Sequence, residues 1–482
     1  MRALRSIRKQ VGFRLCCSLA ALAVFTLASC STSSVPESRL KAPENWLTAG
    51  SSAEVVDEWW KSFGDTNLAA FITEALTENR SLEAMRARVE AAMEQSRIAG
   101  SASLPTLSGQ LGSSRQQQVF VGLPLPGAAG PLKSRSTSHT AQLVADWELD
   151  VWGRVRSGRN AALSDYLAAT DDLRGARLSL IGQIVRGWFH LAEAAKQLEL
   201  SVAIVKSFEE TEATVLGRYE HGLRPPEEVR SSKSNAASAR ALTALRETEL
   251  NDARRQLLAL LGRYPTGNLS GPDVFHVPVH KISAGIPSGL LERRPDLLAA
   301  RWQLKAAGFR LDEAKASIFP ALGLTAGGGR TSSDLQDLLD ADFSIWSLGA
   351  NALQPLFQGG RLRANVRMNK ARVRAAVADY DEAVLKAFRE VETALDNESI
   401  LATRESELAE TGRQATAVLS LAQDRYESGL EDLLPVLESQ RQVLEAESQL
   451  HAARRARLDN RVALHLALGG GFEWDNENED GS

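Results

Sequence analysis

The stretch Arg218-Tyr219-Glu220-His221-Gly222-Leu223 returns 207 residues later as Arg425-Tyr426-Glu427-Ser428-Gly429-Leu430. The same offset pairs Gly153-Arg154 with Gly360-Arg361 and Leu261-Gly262 with Leu468-Gly469. Upstream, Leu82, Ala84, Arg86, Ala91, Ala92, Ala99, Pro105 and Leu107 match Leu297, Ala299, Arg301, Ala306, Ala307, Ala314, Pro320 and Leu322 at an offset of 215, so the first copy carries eight extra residues between Pro105 and Gly153. A period near two hundred residues is far longer than a solenoid repeat and describes two halves of one pseudo-symmetric body. Whatever this chain folds into must be built twice.

Each copy is dominated by a long proline-free stretch, 154–217 and 361–428, which as a helix spans roughly 95–100 Å at about 1.5 Å per residue. Beyond a Gly-Leu turn, 226–262 and 431–468 read as helices that return antiparallel. Leu362, Val373, Val384 and Leu395 recur every eleven residues, a spacing without left-handed supercoil that suits helices packed side by side in a wide cylinder. Nearer the turn, Ala415, Ala422 and Gly429 lie seven apart, the spacing of two-helix coiling. Ahead of the first long stretch, Asp65 or Thr66 caps a helix to about Glu78, Ser81 caps a second to about Ser101, and Pro105 stops helical structure.

Between the helices lie four strand candidates: 104–113 and 136–150 in the first copy, 321–330 and 343–357 in the second. In 136–150, Thr137, His139, Ala141, Leu143, Ala145 and Trp147 fall on one face. The segment 119–134, with Gly122, Pro124, Pro126, Gly127, Gly130 and Pro131, reads as a loop, as does 331–342. Strands of this length exceed the soluble norm and suit an outer-membrane barrel strand. Four strands cannot close a barrel, for which about eight is the minimum. Either they form a small soluble sheet or several chains pool them. The fold class expected is thus mainly α, a long antiparallel helical body with four strands per chain and an internal two-fold repeat.

The N-terminus reads as a secretory signal: Arg2, Arg5, Arg8, Lys9 and Arg14 precede an apolar run from Leu15 to Ala28, too short to span a membrane. It ends in Leu27-Ala28-Ser29-Cys30, which resembles the bacterial lipoprotein cleavage box; that resemblance makes Cys30 the first mature residue and its lipid-acylated anchor, with Ser31 implying retention at the outer membrane. Cys16 and Cys17 leave with the signal, so no disulfide is possible. Removing five basic residues leaves 51 basic against 60 acidic, a mature net charge of −9 that argues against nucleic acid as a partner. The expected organisation is a signal at 1–29, a lipidated tether and arm at 30–63, a first repeat at 64–262, a linker at 263–290, a second repeat at 291–470 and a polar tail at 471–482.

No enzyme is expected. G-x-S-x-G, H-E-x-x-H and Walker patterns are missing, and Gly327-Gly328-Gly329 lacks the Lys-Ser/Thr that would make a phosphate loop. His276 and His280 stand four apart beside Pro278 in extended chain, where helical ligand spacing does not apply, and Met85 and Met93 do not make a copper-handling cluster. Neither a metal nor a cofactor is expected beyond the lipid on Cys30. The turns are the candidate site. Gly222 and Gly429 fit helix C-terminal caps, but capping does not explain Leu223 and Leu430 at exposed turns, nor the repeated Arg-Tyr. Just beyond lie Glu227, Glu228, Glu431, Asp432 and Glu438, favoured by the helix dipole or serving as rings of acid at a narrow mouth.

Three further stretches carry a resemblance. Asp57-Glu58-Trp59-Trp60-Lys61-Ser62-Phe63-Gly64-Asp65, Ile286-Pro287-Ser288-Gly289-Leu290-Leu291-Glu292-Arg293-Arg294-Pro295-Asp296 and Ser317-Ile318-Phe319-Pro320, with the two Arg-Tyr-Glu-x-Gly-Leu turns, resemble the opening, mid-chain, helix-to-strand and tip motifs of the TolC-like outer-membrane factors, in the lipoprotein branch serving resistance-nodulation-division efflux pumps. The resemblance covers about 40–470. It implies a homotrimer whose chains each give four strands to one twelve-stranded barrel, above a helical periplasmic tunnel. It implies a passive exit duct for small toxic compounds, a periplasmic adaptor docking on Gly222, Leu223, Gly429 and Leu430, and an inner-membrane pump. It also implies a gate at Tyr426, Glu228, Glu431 and Glu438; Pro435 stands where the family sometimes has an aspartate. A duct for protein secretion and a poreless periplasmic coiled-coil scaffold are the rival readings.

Overall fold

A computed structural model describes residues 40, 43–47, 58–120, 132–266, 269, 271 and 287–470. The expectations for the signal, Cys30, most of the tether, the centre of the 119–134 loop, most of the 263–290 linker with His276 and His280, and the 471–482 tail lie outside these residues.

Helix α1 (Thr66–Glu78) starts where the Asp65 carboxylate accepts from the N–H groups of Asn67 and Leu68 at 2.9 and 3.2 Å. Helix α2 (Arg80–Ser101) is opened by Asn79 rather than Ser81: Asn79 Oδ1 accepts from Leu82 N at 3.0 Å while its Nδ2 donates to Leu260 O at 2.8 Å. Strands β1 (Thr106–Phe120) and β2 (Leu132–Leu149) follow, then α3 (Arg154–Glu220) and α4 (Pro226–Leu260). The second copy supplies α5 (Pro287–Arg293), α6 (Pro295–Ala316), β3 (Ala321–Ser332), β4 (Ser344–Leu353), α7 (Arg361–Glu427) and α8 (Leu433–Ala467). The duplication is visible in the lengths: α3 and α7 have 67 residues each, α4 and α8 have 35 each.

The chain forms two compact units. One gathers the described residues of 90–168 and 301–379; the other holds those of 40–89, 169–300 and 380–470. The first is organised around an antiparallel sheet of order β1-β2-β3-β4, so β2 of one copy pairs with β3 of the other. Asp150 starts α3 there, accepting from Val155 N at 2.9 Å and Arg156 N at 2.7 Å, and Glu148 holds Arg154 bidentately at 3.0 and 2.6 Å. Gly329 explains part of the glycine run: a Cβ there would collide with the β2 backbone at Ala141 and Gln142.

The second unit carries the apolar cores. Trp59, Trp60, Leu68, Ile72, Ile181, Ile184, Trp188, Leu191, Leu257 and Leu458 form the largest. Trp188 Nε1 donates to Asp65 Oδ2 at 2.8 Å, so the residue that starts α1 also ties it to α3. The mid-chain motif has a packing reason. Buried Arg294 pairs with Asp296 at 2.7 Å and Glu390 at 2.7 Å and donates to Ala467 O at 3.3 Å, joining the start of α6 to α7 and the end of α8. Burial alone would raise the Asp296 carboxyl, but this guanidinium and the Leu297 N–H hold it below the usual value.

Candidate functional site

Among the described residues no helix is long and apolar enough to cross a membrane. The sheet is the other possibility, and its register sorts its side chains sharply. Leu107 pairs with Ala145, Ala145 with Ala326 and Ala326 with Leu348; Leu143 pairs with Gly328 and Gly328 with Trp346; Trp147 pairs with Leu324 and Leu324 with Ala350. Residues paired directly across a sheet share a face. One face is therefore an apolar band drawn from all four strands and both copies, and it is exposed: Leu111 is 87% and Trp346 84% accessible. The opposite face carries Ser108, Gln110, Ser114, Gln116, Thr140, Gln142, Asp146, Thr325, Thr331 and Ser347. Aromatic rings gather at the helix-proximal end of the sheet. Trp152 stacks on Phe319 at 4.9 Å and donates to Pro320 O at 2.8 Å, and Trp147 donates to Ser103 O at 3.1 Å. An outward apolar surface with an aromatic girdle and a polar inner face is the make-up of an outer-membrane barrel wall.

The two turns lie in the helical unit and are built alike. Each long helix ends in a Schellman cap. Leu223 N donates to Arg218 O at 2.9 Å and Gly222 N to Tyr219 O at 2.8 Å; Leu430 N donates to Arg425 O at 2.9 Å and Gly429 N to Tyr426 O at 3.1 Å. Gly222 and Gly429 sit at φ of 75° and 71°, the left-handed conformation the cap requires. The leucines join the cap through their backbone N–H alone and leave their side chains in the open: Leu223 is 71% and Leu430 81% exposed.

The gate candidates fare differently. Tyr426 lies beneath the surface, 3% exposed, with the Arg218 and Arg224 guanidinium carbons 4.6 and 4.8 Å from its ring centre. Its phenol donates to Glu228 Oε2 at 3.4 Å. Burial and the Glu228 carboxylate raise the phenol above its ordinary pKa, against the two guanidinium groups, so it stays a donor. Arg224 also faces Glu228 at 3.4 Å and Asp432 at 3.3 Å, and bonds Glu431 O at 3.3 Å. Arg218 donates to Tyr426 O and Glu427 O at 2.7 and 2.8 Å, satisfying the last carbonyls of α7. Tyr426 and Glu228 are thus brought together; Glu431 joins them only through its backbone carbonyl on Arg224, its carboxylate facing Arg425 at 3.9 Å, and Glu438 lies on exposed α8 surface paired with Arg441. Sequence reasoning missed Arg218 and Arg224 as members; the recurring Arg-Tyr pair was the signal for the first. Among the described residues no group of three His, Cys, Asp or Glu could hold a metal.

The sequence pattern of the family described as outer membrane efflux protein matches residues 71–263 and 286–470. The chain is similar to the toluene efflux pump outer membrane protein TtgF of Pseudomonas putida, 31% identical over 438 residues, covering 91% of this chain and 89% of that one. It is similar to outer membrane protein OprJ of Pseudomonas aeruginosa, 32% identical over 467 residues and 95% of each chain. Among solved structures, the outer-membrane channel OprN superposes with a TM-score of 0.81 at 25% identity, over 91% of this chain and 99% of that one.

Proposed function

The chain belongs to the outer membrane efflux protein family, a family of channel proteins of the cell outer membrane, and from that premise we propose that three copies pool their strands into one twelve-stranded barrel. The helices of the three copies continue it as a tunnel, and the whole is the passive exit duct of a tripartite efflux pump for small toxic compounds. The observation that supports this reading best is the sheet. Its apolar face runs unbroken across β1 to β4, it is exposed to solvent in a single chain, and neither β1 nor β4 has a second neighbour among the described residues. Neighbouring copies would pair those edges and lipid would cover that face.

The remaining parts follow the same reading. Lipid on Cys30 anchors the N-terminus in the outer membrane. The Gly222-Leu223 and Gly429-Leu430 turns receive the hairpin tips of a periplasmic adaptor, which links the duct to an energised inner-membrane pump of the resistance-nodulation-division type. A leucine is worth at most about 1.5–3 kcal/mol when fully buried, so six such turns in a trimer hold the adaptor by avidity. Tyr426, Glu228 and Glu431 form the closed mouth, with Glu438 as an outer ring of charge that attracts cations. In planar lipid bilayers the purified protein should give stepwise ion conductance, and unheated samples should migrate as a trimer that heating converts to monomer. A monomer that never conducts would remove the duct.

A further inference from the structure

The contact between the two tips has a direction. Arg218, at the end of α3, reaches over to the last carbonyls of α7 and stacks on Tyr426. The 207-residue counterparts of its targets are Tyr219 and Glu220, and among the described residues no guanidinium is placed on them. Tyr219 is 43% exposed where Tyr426 is buried. The counterpart of Arg218 itself is Arg425, whose side chain is 67% exposed and has Glu431 at 3.9 Å. A head-to-tail contact between quasi-equivalent units leaves one donor and one acceptor face unfilled, and it is satisfied throughout only in a closed ring.

The neighbouring helix faces tell the same story. On α8, Leu433, Leu437 and Gln440 are buried, and Gln440 Nε2 donates to Ser207 O, Ser207 Oγ and Thr211 Oγ1 of α3 at 3.1, 2.8 and 2.9 Å. Their counterparts on α4, namely Pro226, Arg230 and Lys233, are exposed, as is Val418 of α7, the counterpart of Thr211. So α4 and α7 present the two halves of a second seam, equivalent to the one that α8 and α3 close within the chain.

We infer that Arg425 of one copy caps the carbonyl end of α3 and stacks on Tyr219 in a neighbouring copy, so that each tip is completed by a second copy of this chain. The inference rests on the reading of the protein as an oligomeric channel. The two kinds of seam are unequal. Arg224 is replaced at the second by Glu431, and Glu228 by Pro435. The seam between copies therefore has one guanidinium fewer and no phenol–carboxylate bond, and it sets Arg230 and Lys233 where the seam within the chain has Leu437 and Gln440. It is the weaker of the two, and the mouth parts there first.

Two cysteine pairs test this with a short bis-maleimide applied to the intact assembly. Arg218→Cys with Tyr426→Cys should react within one chain and leave its denatured mass unchanged. Tyr219→Cys with Arg425→Cys should give covalent dimers and trimers. A native trimer in which the second pair yields only single chains overturns the seam and leaves the channel reading standing; a chain that is monomeric before crosslinking overturns both. In bilayers, Arg425→Ala should raise the resting open probability about tenfold, the scale of one lost charge-assisted bond. Arg218→Ala, with Arg224 still on the ring, should raise it less. An equal or larger rise from Arg218→Ala overturns the ranking of the seams.

Discussion

Helices α3 and α7 are one element made twice, and they are covered differently. Helix α3 buries Ile181, Ile184, Val185, Trp188 and Leu191 and goes on burying Gln197, Ser201, Ile204, Phe208, Thr211 and Val215 to its end. Helix α7 buries Val373, Val384, Ala387, Val391 and Ala394, and from there to Ala422 only Gly412 is buried. Length and caps are inherited from the duplication. How far each copy is covered within the chain is set separately. The buried stripe of α3 runs from Ile181 to Val215 and mixes apolar residues with Gln197, Ser201 and Thr211, whereas the matching stretch of α7 stays open within one chain.

The widest gap expected between the copies is at position 188 and its counterpart. Trp188 is 1% exposed, lies edge-on to Phe71 with centroids 5.4 Å apart and bonds Asp65. Trp188→Ala should cost about 3–5 kcal/mol. The half-buried Leu395→Ala should cost less than about 2 kcal/mol. Thermal unfolding followed by helical circular dichroism would show it, and equal losses would mean that α7 is as fully packed as α3.

A smaller contrast separates two glycines that are conformationally alike. Gly262 and Gly469 have φ of 77° and 89°, so alanine costs about 1–2 kcal/mol at either. A Cβ at Gly262 would come 2.6 Å from Glu78 O, whereas at Gly469 the nearest atoms are 3.3 Å away. Overpacking should add about 1–3 kcal/mol at Gly262 alone. Matching melting shifts for Gly262→Ala and Gly469→Ala would show that α1 yields freely.

The smallest effect concerns pH. Burial, with Glu193 adding to it, raises the Asp459 carboxyl above its ordinary value against Arg455, Arg186 and His190. Its counterpart Asp252 is exposed beside Arg255. The folded chain then holds a proton at Asp459 that the unfolded chain has released. Stability contributed there is present at low pH and lost as pH rises from the ordinary carboxylate value through the raised one. Asp459→Asn should flatten the acid side of the stability profile measured by thermal unfolding; an unchanged profile would show that the carboxyl titrates alike in the folded and unfolded chain.

The helices were legible because proline-free apolar periodicity and a Gly-Leu cap are local signals. The eleven-residue stripe also held, with Val373 and Val384 buried and Leu362 and Leu395 half-buried. The strands were harder. Ser113 to Gln118 are polar on both faces, and the strand expected there ends at 113 with a loop from 119, yet these residues pair in register with His139 to Ser134 and the ladder runs on to Phe120 and Leu132. The ladder holds them, and burial does not. Strand β4 stops at Leu353 because Pro355 has no N–H to offer, short of the expected 357. At the tips, the exposed leucines could be anticipated from sequence. The burial of Tyr426 between two arginines could not, because residues some two hundred positions apart meet there only after both hairpins have formed.

The open sheet has a consequence in time. On the oligomeric reading proposed above, a copy that has not yet met its neighbours carries the fifteen-residue edge of β1 and the ten-residue edge of β4, with an oily face beside them. Such edges join any strand that presents itself. The same collision that brings two copies together correctly also lets them stick wrongly, so raising their concentration speeds both outcomes. On that reading the yield of finished channels is a kinetic partition. It improves when copies are held apart in transit and released together at the membrane, and it suffers when supply outruns insertion.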